Sequence, residues 1–413
     1  MQPLTIRHGK LPAEFISLPP GPPHSAEPIG AAAGFYVADV HMAHGRIDAV
    51  STTAQPAPNV LNADGCYVLP GFVDIHVHGA MGQDVMDAEP HGLLEMARFF
   101  AGHGVTSFMP TTMTASPAET LAAVDGVSRA IALQQTLTTA AARGARMLGI
   151  HLEGPFISPQ FPGAQPANQI RPPDVHEFET LASAGPVRMI TLAPEQPAAA
   201  ALIEAAQRRG IITVYGHTAA TYEQCQAAIA LGVQQATHTY NAMSGLHHRR
   251  PGALGATLSD PRVYAQLIAD TIHVHPAAMN ILARCKGADR TVLITDAMRA
   301  AGLPDGQYSL GGQDVFVHEG ECRLADGTLA GSVLTMDKAL PNFLAAANQS
   351  LAELWPTSSR TPAMSIKVDH EIGAILPGYR ADLVLLEENT LEVAATIVHG
   401  EIAYLRHDAR RQM

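Results

Sequence analysis

The sequence predicts an α/β protein, a TIM-like (β/α)8 barrel with a small β-sandwich domain formed from both chain ends, and three observations carry that prediction. Between Phe72 and about Gln349, apolar runs of strand length alternate with Ala-rich segments of helical length, the pattern of repeated βα units on a parallel sheet. Strand-like runs broken by Gly and Pro turns occur before this region and again after it. At 413 residues the chain also exceeds the size at which a single core usually keeps growing, so a large unit with a smaller companion is the natural division.

The N-terminal runs are LTIRHGKL, FYVADVHMAHGRIDAV and the stretch ending YVLPG, with a Pro-rich segment between Leu18 and Pro28. The pattern switches near Pro70. Candidate barrel strands follow at Phe72–Val77, Val105–Pro110, Met147–Leu152, Met189–Ala193, Ile211–Tyr215, Gln235–His238, Tyr264–Ile268 and Val292–Thr295. Eight strands in about 230 residues fit a closed barrel better than a doubly wound sheet. After a helical stretch near Val333 to Gln349, strand-like runs return as GAILPGYRADLVLLEE and IVHGEIAYL. Residues 1–68 and 365–413 are therefore expected to form the small domain, and residues 69–364 the barrel.

Composition excludes several classes of function. A formal net charge of −12 with 26 Lys plus Arg leaves no basic surface for a phosphate backbone, so nucleic acid is not an expected partner. A small anionic ligand would need local cationic groups or a metal. The cysteines Cys66, Cys225, Cys285 and Cys322 are scattered without a CxxC pair, which suggests reduced thiols rather than a disulfide framework or a thiolate metal site. No apolar leader and no run of 18 apolar residues is found, so the expectation is a cytoplasmic protein that does not engage membranes.

In FVDIHVHG, His76 and His78 are two apart on a predicted strand, so both imidazoles project to one face. In isolation such a pair could equally be buried, hydrogen-bonded core histidines. Glu153, His217, His238 and Asp296 also fall at predicted strand ends, however, and barrel active sites collect where strands end. Six ligand-type residues at that one address point to a divalent metal site with room for one or two ions. Imidazole and carboxylate donors without thiolate suit Zn²⁺ first, with Fe²⁺, Mn²⁺ or Co²⁺ also compatible. The lysines, at positions 10, 286, 338 and 367, lie away from the middle strand ends, so Glu153 is the carboxylate available to bridge two metals. Asp296 has a second reading as a helix N-cap, but beside four histidines an acid/base role is favoured. His91 and His103 read as surface or satisfied side chains, and His8, His24, His41 and His44 belong to the small domain.

Taken in order, PGFVDIHVHG, HLEGPF, GHT, THTYNAM and TDA resemble the N-acetylglucosamine-6-phosphate deacetylase family of the amidohydrolase superfamily. The resemblance extends to GCYVLPGFVD, GAILPGYRADLVLL and the LAGS phrase at Leu329–Ser332; HLEGPF and THTYNAM are its specific parts. It implies hydrolysis of a sugar 2-acetamido group, with Glu153, His217 and His238 on the principal metal and Asp296 as acid/base, while His76 and His78 admit a second metal. It further implies sugar or phosphate contacts from Asn241, Ala242, Arg249 and His273, and a sugar-lining loop at Leu329, Ala330 and Gly331. Arg249 would come from the neighbouring subunit of a homodimer. Where several relatives carry His, this chain reads Gly163, Ala164, Gln165, Pro166; Ala164 and Gln165 are expected at the substrate, Gln165 as a neutral donor.

The implied reaction converts N-acetyl-D-glucosamine 6-phosphate to D-glucosamine 6-phosphate and acetate. Two alternatives stand beside it. One is deacetylation of another phosphorylated amino sugar such as N-acetyl-D-galactosamine 6-phosphate, and the other is a non-catalytic barrel kept as a binding module, which the complete ligand set argues against.

Overall fold

In the computed structural model, residues 2–16, 34–53 and 55–407 are described; the Pro-rich segment between Leu18 and Pro28, and His24 within it, lie outside them. Eight parallel strands form the barrel: Phe72–Val77, Val105–Thr112, Ile150–Glu153, Val187–Leu192, Ile212–Tyr215, Gln235–Ala236, Tyr264–Ile268 and Thr291–Ile294. Consecutive strands pair in chain order, so each helical crossover returns beside its own strand.

The first and eighth strands meet at a seam rather than a full ladder. Val77 bridges Ala297 in parallel, and the Asp296 N–H donates to the His76 carbonyl at 2.9 Å. Asp74 reinforces the join from within: its carboxylate accepts the Thr295 hydroxyl at 2.5 Å and the His76 N–H at 3.3 Å. The strands are dense in Val, Ile and Leu buried on both faces, as a helix-covered parallel sheet requires.

Both chain ends contribute to one further sheet, ordered Glu401–Leu405, Val393–Val398, Leu383–Glu387, Cys66–Pro70, Leu4–Pro12, Phe35–Ala43 and Arg46–Ser51, with Val60–Asn62 paired to Leu4–Pro12. Cys66–Pro70 runs straight into the first barrel strand through Gly71. A Cβ there would sit 2.1 Å from the Thr106 methyl, so only glycine permits the approach.

The sequence reading had no counterpart for a three-stranded antiparallel sheet at Gly306–Leu310, Gln313–His318 and Glu321–Leu324, inserted after the eighth barrel strand. It packs Leu310, Val315, Val317 and Cys322 with Met113, Met298 and Ala330 into a small separate core. Leu310, with Thr328, Leu329 and Gly331 from the loop after the third of these strands, thereby walls one side of the cavity at the barrel mouth.

Candidate metal and substrate site

Local backbone brings the ligand-type side chains inward. His217, His238 and Asp296 follow the ends of their strands with φ of 44°, 24° and 51°, left-handed conformations that non-glycine residues adopt at a cost of roughly 1–3 kcal/mol each. The cost is held by the surroundings. The Ser332 N–H donates to the Asp296 carbonyl at 2.8 Å, and the Ser332 hydroxyl donates to the Thr295 carbonyl at 2.6 Å. No helix starts at Asp296, so the N-cap reading is set aside.

Glu153 stands at the centre. Its Oε1 lies 3.4 Å from His76 Nε2, 3.3 Å from His217 Nε2 and 3.2 Å from His238 Nε2, while Oε2 lies 3.2 Å from His78 Nε2. Asp296 Oδ1 is 3.5 Å from His76 Nε2 and 3.2 Å from His78 Nε2. These side chains form two overlapping groups, His76–His78–Glu153 and Glu153–His217–His238, within which the ligand atoms lie no more than 4.8 Å apart.

The far ring nitrogens decide what the near ones offer. His78 Nδ1 faces the Thr111 carbonyl at 3.1 Å and His217 Nδ1 the Phe161 carbonyl at 3.0 Å, so each Nδ1 must carry the proton and donate. In the neutral rings Nε2 then bears a lone pair directed at Glu153. His76 Nδ1 faces Gln266 Oε1 at 3.3 Å, and that amide donates to Gln235 Oε1 at 3.2 Å; Gln235 in turn donates to the Ser365 carbonyl at 2.7 Å. Lone pairs would thus confront one another at 3.3 Å between His76 and His78, while His238, whose Nδ1 is buried without a partner, sets its Nε2 3.0 Å from that of His217. A cation between them converts that repulsion into coordination, so the donor set fits a divalent metal.

Burial alone would raise both carboxyls. When they carry charge, as they can with no cation between them, the imidazoles more than offset it, with His76 the first of them, holding Glu153 well below the usual carboxylate range and Asp296 at about 2. Beneath them His151 is pushed well down by burial and then by His76, which makes it a neutral imidazole; its Nε2 lies 2.8 Å from the Thr191 hydroxyl.

A cavity of about 420 Å³ opens over this floor, within the range of small-molecule sites. Of the residues expected from sequence, His78, Glu153, Ala164, Gln165, His217, His238, Asn241, Ala242, His273, Asp296, Leu329 and Gly331 line it. Three do not. His76 is fully buried behind His78, and Ala330 is fully buried, turned into the small core of the inserted sheet. Arg249 sits on an exposed turn closed by a His247–Arg250 bridge, away from the lining.

The contacts refine other expectations. The Asn241 N–H donates to the His238 carbonyl at 2.9 Å, so it is committed to the loop. His273 Nδ1 is paired with Asp270 Oδ2 at 2.6 Å, which leaves Nε2 as the ring atom free for a ligand. Away from the cavity, His91 is exposed and His103 pairs with Asp337 at 3.1 Å. Sequence reasoning missed Gln160, Phe161, Pro162 and Met113 on the lining, and His151 and Gln266 beneath it. A Gln in the middle of the apolar strand YAQLI is a signal that could have found Gln266, because a buried amide needs a partner.

The amidohydrolase family model matches residues 67–403. The N-acetylglucosamine-6-phosphate deacetylase of Lysinibacillus sphaericus is 40% identical over 368 residues, covering 88% of this chain and 92% of that protein. An N-acetylgalactosamine-6-phosphate deacetylase of Escherichia coli O157:H7 is 39% identical over 359 residues, 86% of this chain and 93% of the relative. Among solved structures, the N-acetyl-D-glucosamine-6-phosphate deacetylase of Mycobacterium smegmatis superposes with a TM-score of 0.85 at 31% identity, covering 98% of this chain and 100% of that one. The N-acetylglucosamine-6-phosphate deacetylase of Thermotoga maritima gives 0.82 at 33%, covering 97% and 100%.

Proposed function

The chain belongs to the amidohydrolase family, and from that premise we propose that it hydrolyses the acetamide of N-acetyl-D-glucosamine 6-phosphate, yielding D-glucosamine 6-phosphate and acetate. The observation that carries this reading is the sharing of Glu153 between two pairs of imidazoles beside Asp296, on the floor of a cavity of small-molecule size.

Glu153, His217 and His238 would hold the principal divalent cation, Zn²⁺ first and Fe²⁺, Mn²⁺ or Co²⁺ otherwise, and His76 and His78 with Glu153 would accommodate another. The metal, when bound, supplies Lewis acidity that polarises the acetamide carbonyl and lowers the pKa of water at the site to about 7. Asp296, ionised at neutral pH, takes a proton from the water that adds to the carbonyl carbon. It returns that proton to the sugar nitrogen as the C–N bond breaks, so acetate and the free amine leave. Leu329 and Gly331 border the sugar from the inserted loop. The Nε2 of His273 and the Asn241–Ala242 loop face the phosphate, completed by Arg249 of a neighbouring subunit in a homodimer.

In this reading residues 69–364 form the catalytic unit and residues 1–68 with 365–413 the small domain. Four free cysteines suit a reducing cytoplasmic setting, and among the described residues no helix is long and apolar enough to cross a membrane. The E. coli relative named for the galactosamine epimer keeps that sugar as the second reading. Acetate release from both phosphorylated epimers and from plain N-acetylglucosamine, with metal content measured on the same sample, tests the proposal. Turnover should favour the glucosamine 6-phosphate derivative; a metal-loaded protein that releases no acetate from any of the three overturns it.

A further inference from the structure

At the end of the barrel remote from Glu153, where the strands begin, Arg146 opens the short run Arg146–Met147 ahead of the third strand and Arg188 lies at the start of the fourth. The small-domain sheet brings Arg380 and His399 against them around a second cavity of about 570 Å³. Glu371 and Asp382 are the acidic groups nearest the arginines. Their oxygens stand 3.7 and 4.0 Å from Arg146 and 3.8 Å each from Arg380, beyond hydrogen-bonding distance.

Donors here outnumber acceptors. Among the described residues the guanidiniums of Arg146 and Arg380 make no hydrogen bond, and their Nε atoms are buried without partners, as are Nδ1 of His399 and, as the one acceptor left so in this cluster, Oδ2 of Asp382. Arg188 spends only Nε, on the Leu148 carbonyl at 2.9 Å. Arg143 at the rim is neutralised by Glu401 at 2.7 Å. Three guanidiniums therefore face two carboxylates, a local excess of one positive charge in a chain whose net charge is −12. Burial lowers the pKa of the Arg146 guanidinium, with Asp382 and Glu371 opposing that shift and Arg380 and Arg188 adding to it. Water can occupy the donors but leaves the charge; a multidentate oxyanion answers both, and guanidinium forks suit phosphate oxygens.

We propose that this cavity is a second anion site, distinct from the catalytic pocket, that takes phosphate or a phosphate monoester between Arg146, Arg188 and Arg380. Because Arg146 and Arg188 belong to the barrel and Arg380 to the approach to the small-domain sheet, the bound anion ties the two together.

The test is thermal unfolding of the metal-loaded protein at constant ionic strength, titrated with inorganic phosphate and separately with glucosamine 6-phosphate. Wild type is compared with Arg188→Gln and Arg380→Gln, and with His273→Ala to weaken phosphate binding in the catalytic pocket. Phosphate should raise Tm in wild type and in His273→Ala, while both arginine variants need at least tenfold more ligand for the same shift. Their Tm without phosphate should be equal to wild type or higher, since a like charge is removed. Response to inorganic phosphate identifies the free ion, and response to the ester alone identifies the sugar phosphate. Wild-type phosphate response in both arginine variants overturns the proposal, as does a loss of Tm that is the same with and without phosphate.

Discussion

Gln165 donates from Nε2 to Glu153 Oε2 at 2.7 Å, and its Oε1 accepts the Thr114 N–H at 2.7 Å. The Thr114 donor fixes which end of the amide is oxygen, so the NH₂ end has to face Glu153. Gln165 was expected at the substrate, and it does line the cavity, yet it is only 4% exposed and its main bonds are to the protein.

Gln165→Leu should therefore act through the metal. Groups that orient ligating side chains typically contribute about 10- to 100-fold in metal affinity or activity. Metal retained after dialysis against a chelator and kcat should both fall; undiminished metal and kcat would assign Gln165 no part in holding Glu153.

Asp296→Asn preserves shape but cannot carry the proton. Metal content should stay at the wild-type level while kcat drops on the order of 10²-fold or more. Near wild-type turnover in this variant would move the acid/base role elsewhere.

Because Glu153 serves both imidazole pairs, Glu153→Ala should empty both metal positions. His217→Ala should lower mainly the principal metal, and His76→Ala mainly the second. Metal analysis by mass spectrometry distinguishes these outcomes, and full metal in all three variants would show that the site is misassigned.

Arg249 is exposed in the single chain and is proposed to reach the phosphate of a neighbouring subunit, where the pair would be buried; truncating one partner of such a pair costs about 2 to 5 kcal/mol, so Arg249→Ala should weaken use of the phosphorylated sugar by roughly 30-fold or more. Plain N-acetylglucosamine should be barely affected. The comparison is kcat/KM on both sugars in both proteins, and equal losses would assign Arg249 to the fold or an interface.

Lys286 is buried and donates to the carbonyls of Thr257 at 2.9 Å and Asp260 at 2.7 Å, at the C-terminal end of helix Gly252–Ser259. Burial lowers its pKa to about 8. Between that value and the ordinary lysine range the unfolded chain binds more protons than the folded one, so this group makes stability rise with pH above about 8. Lys286→Met should remove that rise. Denaturation curves at pH 7.5, 8.5 and 9.5 check it, and an unchanged slope in the variant would sink the assignment.

The barrel was legible where strand composition is strong: Phe72–Val77 and Tyr264–Ile268 fall where the apolar runs place them. The sixth strand stops at Ala236 because His238 turns left-handed to aim its ring inward, a conformation that propensity does not encode. Gly-rich turns concealed the inserted sheet at Gly306–Leu324, whose alternating strands are short and half exposed. The inner histidines and acids were visible because few other residues suit those strand ends. Buried His151 and Gln266 were not, since their role is to hold neighbours whose positions only the closed barrel defines.

Cys66–Pro70 pairs with Leu383–Glu387 through five residues but meets Leu4–Pro12 at only one, Tyr67 opposite Lys10. During synthesis, then, that strand waits for a partner made roughly 300 residues later, on the order of 15 to 60 s at typical elongation rates. For that interval the nascent chain carries an unpaired apolar edge beside the first barrel strand, a template for pairing between neighbouring chains on a polysome. Its yield in a cell should thus depend on chaperone supply and translation speed more than the stability of the finished fold would suggest.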